Sequence, residues 1–169
     1  MKNGKNGILG FNNPSEGVVS VGKMIQEIAD FVEDEPDSFY RLVIGTDSQS
    51  RRVNDRHECI YITAIVIHRQ GKGARYFWRK AFSEKTPVLR DKIYKETQIS
   101  LDCAQELVPS LRNAITSAKY DLEIHIDVGP LGKTRDMIKE VVGMVNGNGF
   151  TAKTKPQAWG ASSVADKHT

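Results

Sequence analysis

The sequence predicts an α/β domain built on a five-stranded mixed sheet, three antiparallel strands followed by two parallel additions, flanked by helices. Two observations predict it. Three strand-like runs follow one another at about 40–47, 58–68 and 74–82, with only turn residues between them. From residue 88 onward, helical and strand-like patterns alternate. Strands in succession suit an antiparallel meander, whereas alternation suits parallel strands joined by right-handed crossovers.

Residues 1–19, rich in Gly and Asn, read as an irregular lead-in to a single domain over 20–169. Ser20 can cap an extra helix in front of the sheet, running to about Glu33, with Met24, Ile25, Ile28, Ala29, Phe31 and Val32 as its apolar face. Pro36 ends it. The run Cys59-Ile-Tyr-Ile-Thr-Ala-Ile-Val-Ile-His68 is apolar almost throughout, as in a strand covered on both faces. Residues 51–57 read as the turn before it, and 69–73, with two glycines, as a hairpin loop after it. A long helical pattern spans 88–118, with Pro109 expected to kink or split it. A strand at 121–127, a helix at about 133–146, a strand at about 150–155 and a short helix from about Ala161 complete the order. The long crossover places strand 121–127 beside strand 40–47, pointing the same way, so Asp47 and Asp127 come out side by side at their carboxyl ends.

The 169 residues suffice for one domain with a sizeable core, and 39% hydrophobic with 27% charged residues suits a soluble globular protein. No apolar stretch approaches the roughly 18–20 residues of a membrane span, and the N-terminus lacks the apolar core of a signal peptide. With only Cys59 and Cys103, not in a metal-type pair, reduced packed thiols and a cytoplasmic location are expected. The net charge of +3 permits a polyanionic partner without requiring one.

Four acids stand out by their places. Asp47 and Asp127 close two strand-like runs, Glu96 rides the long helix, and Asp166 lies in the short Ala/Ser-rich terminal segment. Each has an ordinary alternative. Asp47 or Asp127 could cap a turn. Glu96 could be a solvated helix glutamate, although helical periodicity sets it beside Ile93, Ser100 and Cys103 and off the Lys92/Lys95 side. Asp166 could be a solvated acid in a polar tail. Carboxylates drawn from four elements to one place repel unless a cation sits between them, and oxygen ligands suit Mg²⁺ or Mn²⁺. Two such ions about 4 Å apart activate a water and stabilise the leaving 3′-oxygen of a phosphodiester.

Ile44-Gly-Thr-Asp-Ser-Gln49, Gly71-Lys-Gly-Ala74, His125-Ile-Asp-Val-Gly129 with Gly132-Lys-Thr134, Val142-Gly-Met144, Lys155-Pro156 and Ala165-Asp166, in that order, resemble the bacterial YkuK-type ribonuclease-H-like family. The resemblance covers the chain from about Phe11 onward and implies a ribonuclease H fold. By analogy with ribonuclease H it also implies a two-metal site. Asp47 would bridge both ions, Glu96 and Asp127 hold one, and Asp166 help hold the other.

Gly129-Pro-Leu-Gly-Lys-Thr134 offers a rival signal, a phosphate-binding loop, but Asp127 stands where that motif needs its first glycine. Lys133 there could still hold a nucleic-acid phosphate, as could Arg51, Arg52 and Lys155, or all four could be solvated surface. His125 would share the Asp127 face as a packed histidine or an auxiliary contact, and His168, near Asp166 in sequence, could act as an auxiliary in proton transfer or product release. Trp78 and Trp159 are expected to pack. The expectation is a metal-dependent nuclease acting on RNA, DNA or hybrid. The alternatives are a non-catalytic module binding nucleic acid or protein, and a nucleotidase; oligomeric state is not legible.

Overall fold

The computed structural model describes residues 10–83, 87–116 and 119–168, excluding the side chains of Lys119, Ala161 and Asp166. One sheet of seven strands runs through it in the order β2-β1-β5-β4-β3-β6-β7. The strands are β1 (Phe11–Asn13), β2 (Gly17–Val19), β3 (Phe39–Val53), β4 (Arg56–Arg69), β5 (Ala74–Ser83), β6 (Lys119–His125) and β7 (Thr151–Lys153). The helices are α1 (Val21–Asp34), α2 (Leu89–Ala114), α3 (Ile138–Gly147) and α4 (Gly160–His168).

The five expected strands are present, β3 to β5 antiparallel and β6 and β7 added in parallel. The count of five is corrected to seven because part of the Gly/Asn-rich lead-in pairs. There β1 and β2 form a small antiparallel hairpin whose Asn12 sits against Trp78 of β5. Strands of three residues are too short to display an alternation. A Cβ on Gly10 would lie 2.1 Å from the Val19 carbonyl oxygen, so the hairpin closes only over a glycine.

β3 and β4 are also longer than expected. They stay paired from Tyr40↔Arg69 out to Val53↔Arg56, and the residues read as a broad turn are two more strand ends around Asn54-Asp55, both at positive φ. Asn and Asp tolerate that backbone, which a two-residue hairpin turn requires. Asp47 therefore lies within a 15-residue strand instead of ending one. Pro109 is carried inside one continuous α2, on its exposed side, where water can satisfy the displaced carbonyl.

The sheet is covered on both faces. The larger core lies under α1, α2 and α3 and includes Met24, Ile28, Leu42, Ile44, Ile65, Leu101, Leu107 and Val141. The smaller lies under α4, where Val164 and Ala165 pack on Val43, Ile62 and Ala64. This double cover explains the unbroken apolar run of β4. Ser20 caps α1 as expected, accepting the Lys23 N–H at 3.1 Å. Cys59 and Cys103 are buried free thiols. Among the described residues no helix is long and apolar enough to cross a membrane.

Candidate metal centre

β6 stops at His125, opposite Gly45, while β3 runs on past Asp47. A notch results at the end of β6, with the chain from Ile126 to Gly129 curling along it. Asp47 comes from β3, Asp127 from just beyond β6, and Glu96 from α2.

Matched spacings aim Glu96 at this notch. On β3, Thr46 and Ser48 point to the α2 side, two residues and about 6.6 Å apart. On α2, Glu96 and Ser100 share a face, four residues and about 6 Å apart. The spacings coincide, and α2 runs opposite to β3, so the contacts pair off. The Ser48 hydroxyl donates to Glu96 Oε1, and Thr46 and Ser100 share a hydrogen bond of 2.8 Å. Thr63 of β4 joins Thr46 at 3.1 Å.

Glu96 is 3% exposed. Burial pushes its carboxyl up to about 8; the Ser48 hydrogen bond opposes this, and the negative charges of Asp47 and Asp127 add to it. Its second oxygen, Oε2, is buried with no hydrogen-bond partner among the described residues. A buried carboxylate oxygen without a donor is costly unless a cation reaches it. Asp47, half-buried, accepts the Ser48 N–H on Oδ1 at 2.9 Å. Asp127, also half-buried, meets the Lys155 ammonium at 2.6 Å.

The donor set of carboxylate oxygens fits a hard divalent cation, and the orphaned Glu96 Oε2 gives such an ion a contact that would offset its cost. Among the described residues, however, no three acidic, histidine or cysteine side chains already close into a metal cage. Asp127 is turned to Lys155 and Glu96 Oε1 to Ser48. Asp166 lies on α4, and its side chain is outside the described residues.

The family model described as Ribonuclease H-like matches residues 23–169. The chain belongs to the ribonuclease H-like family. It is 34% identical over 170 residues to the Uncharacterized protein YkuK of Bacillus subtilis (strain 168), covering 94% of this chain and 96% of that one. The YkuK type suggested by the sequence motifs is thereby shown. No solved structure matches.

In this ribonuclease H-like chain His125 holds the start of α4. Its Nδ1 accepts the N–H groups of Trp159 at 3.1 Å and Gly160 at 3.2 Å. Burial lowers its pKa to about 4, helped by the charges of Arg41 and Lys153, so the ring is neutral and Nδ1 is free to accept. Trp159 packs edge-on against both His125 and His68.

His168 is not brought to the notch. It stacks on Trp78 at 3.6 Å and meets the Tyr76 hydroxyl at 3.0 Å, both on β5, with β4 between them and Asp47's strand. Arg51 and Arg52 lie on the exposed end of the β3–β4 hairpin, paired with Glu58 at 2.9 Å and Asp55 at 3.1 Å. Lys133 is exposed in the loop after Asp127. That loop is no phosphate cradle. The Gly129 N–H donates to the Thr134 hydroxyl at 3.3 Å, and α3 starts only at Ile138, after a 3₁₀ turn.

One participant escaped the sequence reading, and another was read with a different partner. Ser48 carried a signal, since Thr46 and Ser48 alternate as hydroxyls on a strand opposite Glu96 and Ser100 at helical spacing. Lys155 was visible as a cation, but nothing in the sequence says that its partner is an acid of the centre and not a substrate phosphate.

Proposed function

We propose that this chain is a divalent-cation-dependent nuclease that hydrolyses phosphodiester bonds of nucleic acid in the cytoplasm. The observation that carries the reading is the buried Glu96 carboxylate, with an unpartnered oxygen, facing the charges of Asp47 and Asp127 at the end of β6. Mg²⁺ or Mn²⁺ bound there would supply Lewis-acid polarisation of the attacking water and neutralise charge on the phosphate. Asp47 and Glu96 would hold the cation with Asp127 beside it, Asp166 would contribute from α4, and Ser48 would fix the Glu96 rotamer. The water oxygen bonds to phosphorus, the P–O3′ bond breaks, and its electron pair leaves with the 3′-oxygen. The water's proton passes to solvent, and the 3′-oxygen takes one up from solvent, leaving a 5′-phosphate and a 3′-hydroxyl. Arg51 and Arg52, on the hairpin arm beyond Asp47, and Lys133, in the loop after Asp127, guide the polyanion toward the notch.

The test is incubation of the pure protein with Mn²⁺ or Mg²⁺ and labelled single-stranded RNA, single-stranded DNA and hybrid duplex, with Asp47→Asn as control. Metal-dependent cleavage lost in the variant is the expected result and names the substrate. One observation favours a second reading, a non-catalytic nucleic-acid-binding module: Asp127 already has a cation in Lys155. Equal binding of nucleic acid by both proteins, without cleavage, would establish that reading instead.

A further inference from the structure

Lys155 is set beside Asp127 by the backbone on both sides. The Ile126 N–H donates to the Lys153 carbonyl at 2.9 Å and the Lys155 N–H to the Val128 carbonyl at 2.7 Å, so the two segments continue side by side beyond the last ladder pair, His125↔Lys153. The side-chain stem lies across Gly129. A Cβ there would stand 3.0 Å from Lys155 Cβ and 3.6 Å from Cδ, contacts tight enough to push the stem away. From this seat Nζ reaches Asp127 Oδ1 at 2.6 Å. The ammonium thus occupies the Asp127 side of the notch and takes up the carboxylate that a divalent ion there would need.

We propose that the Lys155 ammonium is itself one of the two cations of the centre, so that the site binds a single divalent ion, on Glu96 and Asp47. The inference rests on the nuclease reading and specifies how its charge is supplied. An ammonium is a compact point charge with three donors. With one donor on Asp127, two remain for the oxygens of the scissile phosphate, and the charge is present whatever the supply of metal. A second divalent ion on Asp127 would face a like charge at close range, which disfavours its binding.

The experiment is a count of Mn²⁺ ions bound by the full chain, by isothermal titration calorimetry and electron paramagnetic resonance, in the wild type and in Lys155→Met. One ion in the wild type is expected, and two spin-coupled ions in Lys155→Met, where Asp127 is released. Two ions in the wild type, or one in both proteins, overturns the inference while leaving a metal-dependent nuclease intact. No Mn²⁺ bound by either protein overturns both readings. Circular dichroism and the melting temperature check that Lys155→Met folds. If it does not, the wild-type count decides alone.

Discussion

The Ser48 hydroxyl on β3 donates to the Glu96 carboxylate on α2, one step along the same interface from the Thr46–Ser100 pair. This contact joins the helix to the strand that carries Asp47 and holds a buried acid at the end of β6. The pair converts a packing interface into a charged site. Removing one partner leaves the other in a dry place without its hydrogen bond, which is more costly than never having built the pair.

Ser48→Ala is therefore expected to cost about 1–3 kcal/mol of stability and to weaken Mn²⁺ binding near neutral pH, because Glu96 then holds its proton more tightly. Urea denaturation with and without Mn²⁺ measures both effects. An unchanged Mn²⁺ affinity would mean that Glu96 is not a ligand.

Glu96 makes metal-free stability depend on pH. The folded carboxyl keeps its proton up to about 8, whereas the unfolded chain releases it near the ordinary value of 4.5. Between those values the folded state binds more protons, so stability falls as pH rises, by up to about 1.4 kcal/mol per unit. Glu96→Gln is expected to remove that slope. Melting temperatures from about pH 5 to about pH 8 test it. A slope of the same size in Glu96→Gln would assign it to other groups.

His125 acts in the opposite sense. The unfolded ring takes up its proton near 6.5, but the folded ring only near 4, so this contribution is complete above about 6.5 and is lost as pH falls toward 4. Through most of that range the two slopes oppose each other, and the wild type is expected to show its decline mainly above about pH 6.5. His125→Ala leaves two N–H groups at the start of α4 without their acceptor and is expected to cost about 1–2 kcal/mol. Trp159 fluorescence and thermal melts at both ends of the range read the loss. A variant as stable as the wild type at neutral pH would show that His125 does not hold α4.

At Gly160 α4 comes close to the sheet, since a Cβ there would lie 2.7 Å from Val43 Cγ1. Val43 is fully buried and its branched side chain has little freedom to turn. Gly160→Ala is expected to cost about 1–3 kcal/mol, and Val43→Ala in the same chain to recover part of it. Chemical denaturation of the two single variants and the double variant gives the coupling. Strict additivity would rule out the close contact.

Much of this protein was legible in the chain itself. The helical spacing of Met24, Ile28 and Val32, the unbroken apolar run of β4 and the strand-like run over 121–127, whose strand closes at His125, depend on local periodicity, and periodicity is carried by neighbours in sequence. The parallel neighbourhood of β3 and β6 followed as well, since a right-handed crossover leaves such strands adjacent, although β3 runs on past Asp47. Only the tertiary structure decided the rest. The β1–β2 hairpin is seated on an edge of β5 far away in sequence, and β3 and β4 reach Asn54-Asp55 through their own pairing, where no hydrophobic alternation marks the exposed strand ends. The partners of charged groups are also tertiary. Whether Glu96 is buried against Ser48, whether His125 caps α4, and whether Lys155 faces an acid or a phosphate all turn on distances of a few ångströms between segments dozens of residues apart. Desolvation and Coulomb attraction act through space, and a sequence orders its residues only along the chain.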